Sequence, residues 1–319
     1  MPFLLSDDQI AELLSTEDFV YSCDQAFKLY GEGALRNLQR DESVTRDGDK
    51  EVFRLELAGL WEGRLRGRKL IVEHSDVSTG RLGERMATIE LVLEGTDQPF
   101  ELGAELITNR RTGAAAVLGA HYLGPSCPEV VGVLGTGRIA ESVVLAADAK
   151  LKPSVIYVTS RSGERREAFV AKMGEQVETD VIAVDSIPRA VLDADVIIAA
   201  VPTPEPILSS EMIKPRAHVS VVAGDPRTAQ VDIDLLTSRD VVVDAWDQAT
   251  ASGDFVRSAD RIDEFRILKV DREPATIGDA AKGRLLTYQG GGCVTYFTGM
   301  AIQDLHAAYT AVQKVAVGT

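Results

Sequence analysis

The chain has 319 residues, 45% hydrophobic and 26% charged, the balance of a soluble globular protein with room for two cored domains. A formal net charge of -15 at pH 7 repels phosphate backbones and anionic lipid, which argues against nucleic-acid and membrane partners. Cys23, Cys127 and Cys293 stand far apart, as reduced thiols of a cytoplasmic protein would, and the histidines show no metal-ligand spacing.

In chain order, Ser6 is placed to cap a short helix, DDQIAELL. Thr16 is placed to cap a second, EDFVYSCDQAFKLYGEG, whose Phe19, Val20, Cys23, Phe27 and Tyr30 share a face and which Gly31 and Gly33 end. VFRLELAGLW, RKLIVEH, RMATIELVLE and PFELGAELI follow, divided by Gly and Asp turns, and predict an antiparallel sheet. RRTGAAAVLGAHYL predicts a helix whose small residues allow close approach to another element. The turn residues 124–128 mark a domain boundary. From Glu129 onward, EVVGVLG, SVIYVTS, VIAV, ADVIIAAV, HVSVVAG and RDVVVDAW are apolar runs separated by helical or loop stretches. That pattern predicts an α/β domain, residues 124–296, with a doubly wound parallel sheet. The segment MAIQDLHAAYTAVQKV predicts a helix that returns to the first domain, giving an α+β unit of residues 1–123 with 297–319.

Gly135-Thr136-Gly137-Arg138-Ile139-Ala140 follows the run EVVGVL and opens a helical stretch. In that setting Gly135 permits the tight turn, Gly137 lets a pyrophosphate reach backbone N–H groups, and Ala140 permits close helix–sheet packing. The expected consequence is a Rossmann domain that binds a nicotinamide dinucleotide. At the end of the next strand an acidic residue would select NAD(H) by bonding the ribose 2′-hydroxyl. This chain has Thr159-Ser160-Arg161-Ser162 there, followed by Arg165 and Arg166. Small hydroxyls with guanidinium groups suit a 2′-phosphate, so NADP(H) is favoured, with NAD(H) as the alternative and a solvated basic helix start as the bland reading.

Asp225, in Gly224-Asp225-Pro226-Arg227-Thr228 after the run HVSVVA, stands equally as a general base at the cofactor crevice or as a turn residue capping the next element. Arg40, Lys69 and Arg111 each sit beside a predicted element end, as anchors for a substrate carboxylate would; taken singly, each is more commonly a surface charge.

These residues resemble the ornithine cyclodeaminase/mu-crystallin family. The resemblance runs through RKLIVEH, ERMATIELVLEGTDQPFELGAELITNRRTGAAAVLGAHYL, LGTGRIA, AGDPRTAQVDID, VVVDAWDQATASGDF and CVTYFTGMAIQDLHAA. It is most specific at Met86-Ala87-Thr88 and at Arg111-Thr112-Gly113-Ala114-Ala115. It implies that the first half with the terminal helix binds substrate and forms a homodimer. It implies that Arg40, Lys69 and Arg111 contact the substrate carboxylate, that Asp225 is the catalytic acid, with Lys69 next in line, and that Thr112 joins the cofactor contacts. Family members are amino-acid dehydrogenases, imine or ketimine reductases, cyclodeaminases that recycle bound NAD, and binding or lens proteins. Arg227 near Asp225, where cyclodeaminases usually carry a Lys, and the absence of an acid in TSRS favour a dehydrogenase or reductase of a small amino or imino acid. Ornithine cyclodeaminase and a non-catalytic NADPH-dependent binding protein are the alternatives.

Overall fold

The computed structural model describes residues 3–76, 81–96, 98–285 and 292–318. The chain divides into two compact units, Met1–Thr108 with Met300–Thr319, and Asn109–Gly299.

The first unit opens with β1 (Phe3–Leu5), α1 (Asp7–Leu13) and α2 (Thr16–Gly31). Ser6 caps α1 in a reciprocal capping box with Gln9. The cap of α2 is Ser15, paired with Asp18, and Thr16 is already the first helical residue, so the helix begins one place earlier than expected. Four long strands follow, β2 (Leu35–Asp47), β3 (Lys50–Trp61), β4 (Leu65–Asp76) and β5 (Arg81–Leu93), then the short β6 (Phe100–Gly103). The sheet order is β1-β6-β5-β4-β3-β2, antiparallel except for the parallel β1–β6 pair. Only the first part of PFELGAELI is strand. Its ELI already belongs to α3 (Glu105–Leu123), because the Leu106 N–H donates to Asp7 Oδ1 at 2.9 Å, a cap supplied from far along the chain.

Helix α3 runs across the boundary between the units, which falls at residues 108 and 109 rather than at 124. In the second unit a Cβ on Gly113 would fall 2.4 Å from the Ser142 carbonyl carbon, and one on Gly119 2.5 Å from Thr295 Oγ1. The small residues of α3 therefore serve close packing within the second unit, Gly113 against α4 and Gly119 against β15.

That unit continues with β7 (Val130–Leu134), α4 (Arg138–Lys150), β8 (Val155–Thr159), α5 (Gly163–Gly174), β9 (Asp180–Ala183), α6 (Ile187–Val191), β10 (Val196–Ala199) and β11 (His218–Val222). Then come α7 (Ile233–Ser238), β12 (Asp240–Val243), α8 (Trp246–Thr250), α9 (Gly253–Val256), the β13–β14 ribbon (Lys269–Val270, Glu273–Pro274), α10 (Ile277–Ala281) and β15 (Cys293–Phe297). The seven strands β12-β15-β11-β10-β7-β8-β9 are all parallel; β7, β10, β11, β12 and β15 are buried from both faces, whereas the edge strand β9 is half exposed. Cys293 begins β15 and is fully buried, which pushes its thiol well above the ordinary range.

Helix α11 (Ala301–Gly318) completes the first unit. Its Leu305, Ala307, Ala308, Ala311 and Val312 join Ile89, Leu91 and Leu102 of the sheet in one core. Gly59 and Gly67 let the helix lie close, since a Cβ on either would fall within 2.8 Å of a Leu305 methyl carbon. Among the described residues no helix is long and apolar enough to cross a membrane.

Candidate functional site

In the second unit the order of strands reverses at β7, with β8 on one side and β10 on the other, the switch point at which doubly wound sheets bind ligands. The turn after β7 is built for that position. Gly135 has φ +123°, and a Cβ there would meet the Ala200 carbonyl oxygen at 2.9 Å. Gly137 faces open space, and it is the N-cap of α4 without a side-chain cap. A nucleotide phosphate fits there: Gly137 caps α4 with no side chain of its own, and a Cβ on residue 137 would occupy the cradle. Ala140 is fully buried, as close helix–sheet packing requires.

Neighbouring strand β8 ends at Thr159, whose carbonyl accepts the Gly135 N–H at 2.8 Å, so the cradle and Ser160–Ser162 are adjacent. Ser162 is the N-cap of α5, accepting from the Arg165 N–H. Arg166 Nη1 donates to the Ser160 carbonyl, and Arg161 is exposed.

Three strand ends carry the rest of this edge. Asp225 lies in the loop after β11, two strands from β7. The Arg227 guanidinium grips its carboxylate with both forks, Nε to Oδ1 at 2.9 Å and Nη2 to Oδ2 at 2.8 Å, and the Arg227 N–H donates to Oδ1 at 2.8 Å. This pair faces water: the side chains are 38% and 84% exposed. The loop itself is anchored below. Gln230 donates from Nε2 to the Val222 carbonyl and accepts the Val201 N–H, bridging the ends of β11 and β10. Buried Asp254 accepts the N–H groups of Gln230 and Val231 and the Tyr296 hydroxyl, and burial raises its carboxyl pKa.

Arg111 and the Asp225 loop meet the same short segment, Thr298–Gly299. The Arg111 guanidinium, buried on α3, lies where a Cβ on Gly299 would come within 3.0 Å, and Gly299 has φ +87°. On the other side a Cβ on Gly224 would meet the Thr298 carbonyl oxygen at 2.8 Å. The segment is held by Asp244 at the end of β12, which accepts the N–H groups of Thr298 (2.8 Å) and Gly299 (2.7 Å) and the Thr298 hydroxyl (2.8 Å). Burial raises the Asp244 carboxyl pKa, and these donors oppose the rise. Asp244 is therefore a positioning residue that motif reading missed; its only signal is an acid ending an apolar strand.

In the first unit, Arg40 pairs across to Leu57 and Leu57 to Lys69, so the three share one row and one face of the sheet. A β-bulge between Asn37 and Arg40 creates this row: with regular pairing after Asn37–Gly59, residue 39 would oppose Leu57 and Arg40 would point to the other face. Two strand spacings put Arg40 and Lys69 about 10 Å apart at the backbone. Lys69 is buried, and its Nζ donates to Asp304 Oδ2 at 2.9 Å and to Thr108 Oγ1 at 3.2 Å. Arg40 is three-quarters buried and pairs with Glu42 at 3.1 Å. Asp304, on α11, is a second residue that motif reading missed. Among the described residues no group of His, Cys, Asp and Glu could hold a metal ion.

Residues 2–318 match the model of the ornithine cyclodeaminase/mu-crystallin family. The chain is similar to alanine dehydrogenase of Archaeoglobus fulgidus, 23% identical over 310 residues that cover 96% of this chain and 92% of the relative. It is similar to the ketimine reductase mu-crystallin of Rattus norvegicus, 30% identical over 209 residues, 65% of this chain and 62% of that protein. Its fold matches that of Thermococcus litoralis Δ1-pyrroline-2-carboxylate reductase, solved with NADH and L-proline, with a TM-score of 0.86 at 20% identity over 99% and 98% of the two chains. Since the family model matches residues 2–318, the chain belongs to the ornithine cyclodeaminase/mu-crystallin family.

Proposed function

We propose that this protein is an NAD(P)-dependent oxidoreductase that transfers hydride at the C–N bond of a small amino acid or cyclic imino acid. The observation that carries the reading is the single carboxyl edge of the second unit: the open Gly135–Gly137 cradle after β7 and the Asp225 loop after β11 stand two strands apart. The relatives named alanine dehydrogenase and ketimine reductase act on such substrates, and the solved reductase holds NADH and L-proline.

Gly135 to Ile139, with Thr112, would hold the dinucleotide, which supplies the hydride acceptor or donor when bound. Ser160, Arg161 and Ser162 support a preference for NADP(H) over NAD(H): they offer hydroxyl and guanidinium donors and no carboxylate to repel a 2′-phosphate. Arg111, Lys69 and Arg40 are assigned to the substrate carboxylate, the two arginines by bidentate hydrogen bonds and Lys69 as a buried charge. Asp225 is the proton carrier at the substrate nitrogen or at water. Its exposed grip on Arg227 is a weak restraint, so the carboxylate can turn to a substrate ammonium. Lys69 is engaged by Asp304 and Thr108, which fits an anchor better than a proton carrier. The protein is assigned a homodimeric state, as the family resemblance implies.

The test is a screen of amino acids with NAD+ and NADP+, and of 2-oxo acids with amines and cyclic imines with NADH and NADPH, followed at the nicotinamide absorbance. Stoichiometric cofactor turnover is the expected result. Ammonia release without net turnover would make the protein a cyclodeaminase, and neither, with dinucleotide bound, a binding protein.

A further inference from the structure

We propose that Arg110 binds the pyrophosphate of the dinucleotide, an assignment that rests on the dinucleotide reading above. Arg110 precedes Arg111 on α3, and the two point differently. Arg111 lies against Gly299. Arg110 stands three residues before Gly113, on the same side of the helix, and Gly113 touches the α4 backbone at Ser142. Arg110 thus lies beside the opening turn of α4, where Glu141 attracts it through space. Glu141 is itself bonded to Lys172 at 2.7 Å.

The Arg110 Nη1 atom is buried and has no hydrogen-bond partner. Buried donors are almost always paired, so a donor left open beside a ligand cradle calls for the ligand's acceptor. Burial also lowers the guanidinium pKa, against the pull of Glu141, yet arginine stays charged. The cation therefore waits beside the first turn of α4, the positive end of the helix dipole, which favours an anion. An oxygen carrying full negative charge satisfies both. Of the phosphates a nicotinamide dinucleotide brings, the pyrophosphate is the one that binds at this helix start, whereas a 2′-phosphate belongs at the end of β8.

The experiment measures dissociation constants of NADH and NADPH by fluorescence, and of ADP by competition, for wild type and for Arg110→Gln and Arg110→Met. Both variants are first checked for an unliganded melting temperature close to wild type, and either one suffices. The expected result is a loss of about 10- to 100-fold, similar for NADH, NADPH and ADP, as removal of one charge-assisted contact gives. Glu141→Gln, which removes the through-space partner but no phosphate donor, should bind all three as tightly as wild type or more so. Unchanged affinity in the Arg110 variants overturns the proposal. So does a loss confined to NADPH, a loss for NADH but not ADP, or an equal loss in Glu141→Gln. A wild-type protein that binds neither NADH nor NADPH overturns the dinucleotide reading together with it.

Discussion

Lys69 and Asp304 form an ion pair of 2.9 Å between side chains that are 2% and 0% exposed, one on the sheet and the other on the last helix of the same unit. Two buried opposite charges stabilise little as a pair, but one left alone is costly. Asp304→Asn should destabilise the protein by about 3–5 kcal/mol, read by urea denaturation. Lys69→Met with Asp304→Leu should recover most of that loss while abolishing substrate binding. Additive losses in the double variant would show that the pair is not coupled.

Gly299 should control substrate affinity without touching substrate. An alanine there is strained at φ +87° and its Cβ would sit 3.0 Å from the Arg111 guanidinium. Gly299→Ala is expected to raise KM for the acid substrate, and Arg111→Lys to lower kcat/KM strongly because a lysine cannot reproduce the guanidinium fork. Both should leave dinucleotide affinity near wild type. A parallel loss of NADPH affinity would place Arg111 at the cofactor instead.

Asp225→Asn should lower kcat by about 10²–10⁴-fold with the dinucleotide still bound. Arg227→Ala breaks the exposed fork and should change stability by less than about 1 kcal/mol. Near wild-type kcat in Asp225→Asn would return this residue to the role of a turn former, the Asx-type bond to the Arg227 N–H being its function.

Arg161→Ala should weaken NADPH more than NADH, by about 1.5–3 kcal/mol, the value of one hydrogen bond to a charged group. Equal loss for both would remove the 2′-phosphate assignment.

Acid should unfold the protein through two buried histidines. Burial lowers the His218 pKa to about 3 and that of His306 to about 4, from 6.5. The unfolded chain therefore binds protons first as pH falls below 6.5, and stability drops until each folded-state value is reached. By pH 5 each histidine should cost about 2 kcal/mol. His306 stacks on Trp61 with centroids 5.5 Å apart and hydrogen-bonds Ser22 at 2.9 Å. His306→Gln should flatten the acid limb of a plot of stability against pH, and an unchanged slope would contradict this account.

The strands β7 to β12 and the cradle were legible because buried parallel strands are apolar throughout and the glycine spacing is local. Strand β2 was not: LRNLQRDESVTRD is polar on both faces, and only pairing with β3 makes it a strand. The start of α3 was misplaced because its cap, Asp7, comes from another element. Arg40 was legible as a cation, but its face depends on a bulge that no periodicity announces. Asp244 and Asp304 escaped notice because each gains meaning from a partner more than fifty residues away.

The second unit is spliced into the first, and this orders events during synthesis. A nascent chain emerges N-terminal end first, so residues 109–299 can close their parallel sheet while the earlier antiparallel sheet still lacks α11. Until that helix arrives, Leu57, Ile89 and Leu91 lack the Ala301 and Leu305 side chains that complete their core, and Lys69 lacks the Asp304 carboxylate. Their contacts with Ala301, Asp304 and Leu305 span more than 200 residues, the sort of long loop that slows folding and leaves apolar surface open to chaperones. Variants in α11 should therefore reveal themselves in the yield of folded protein before they do so in its catalysis.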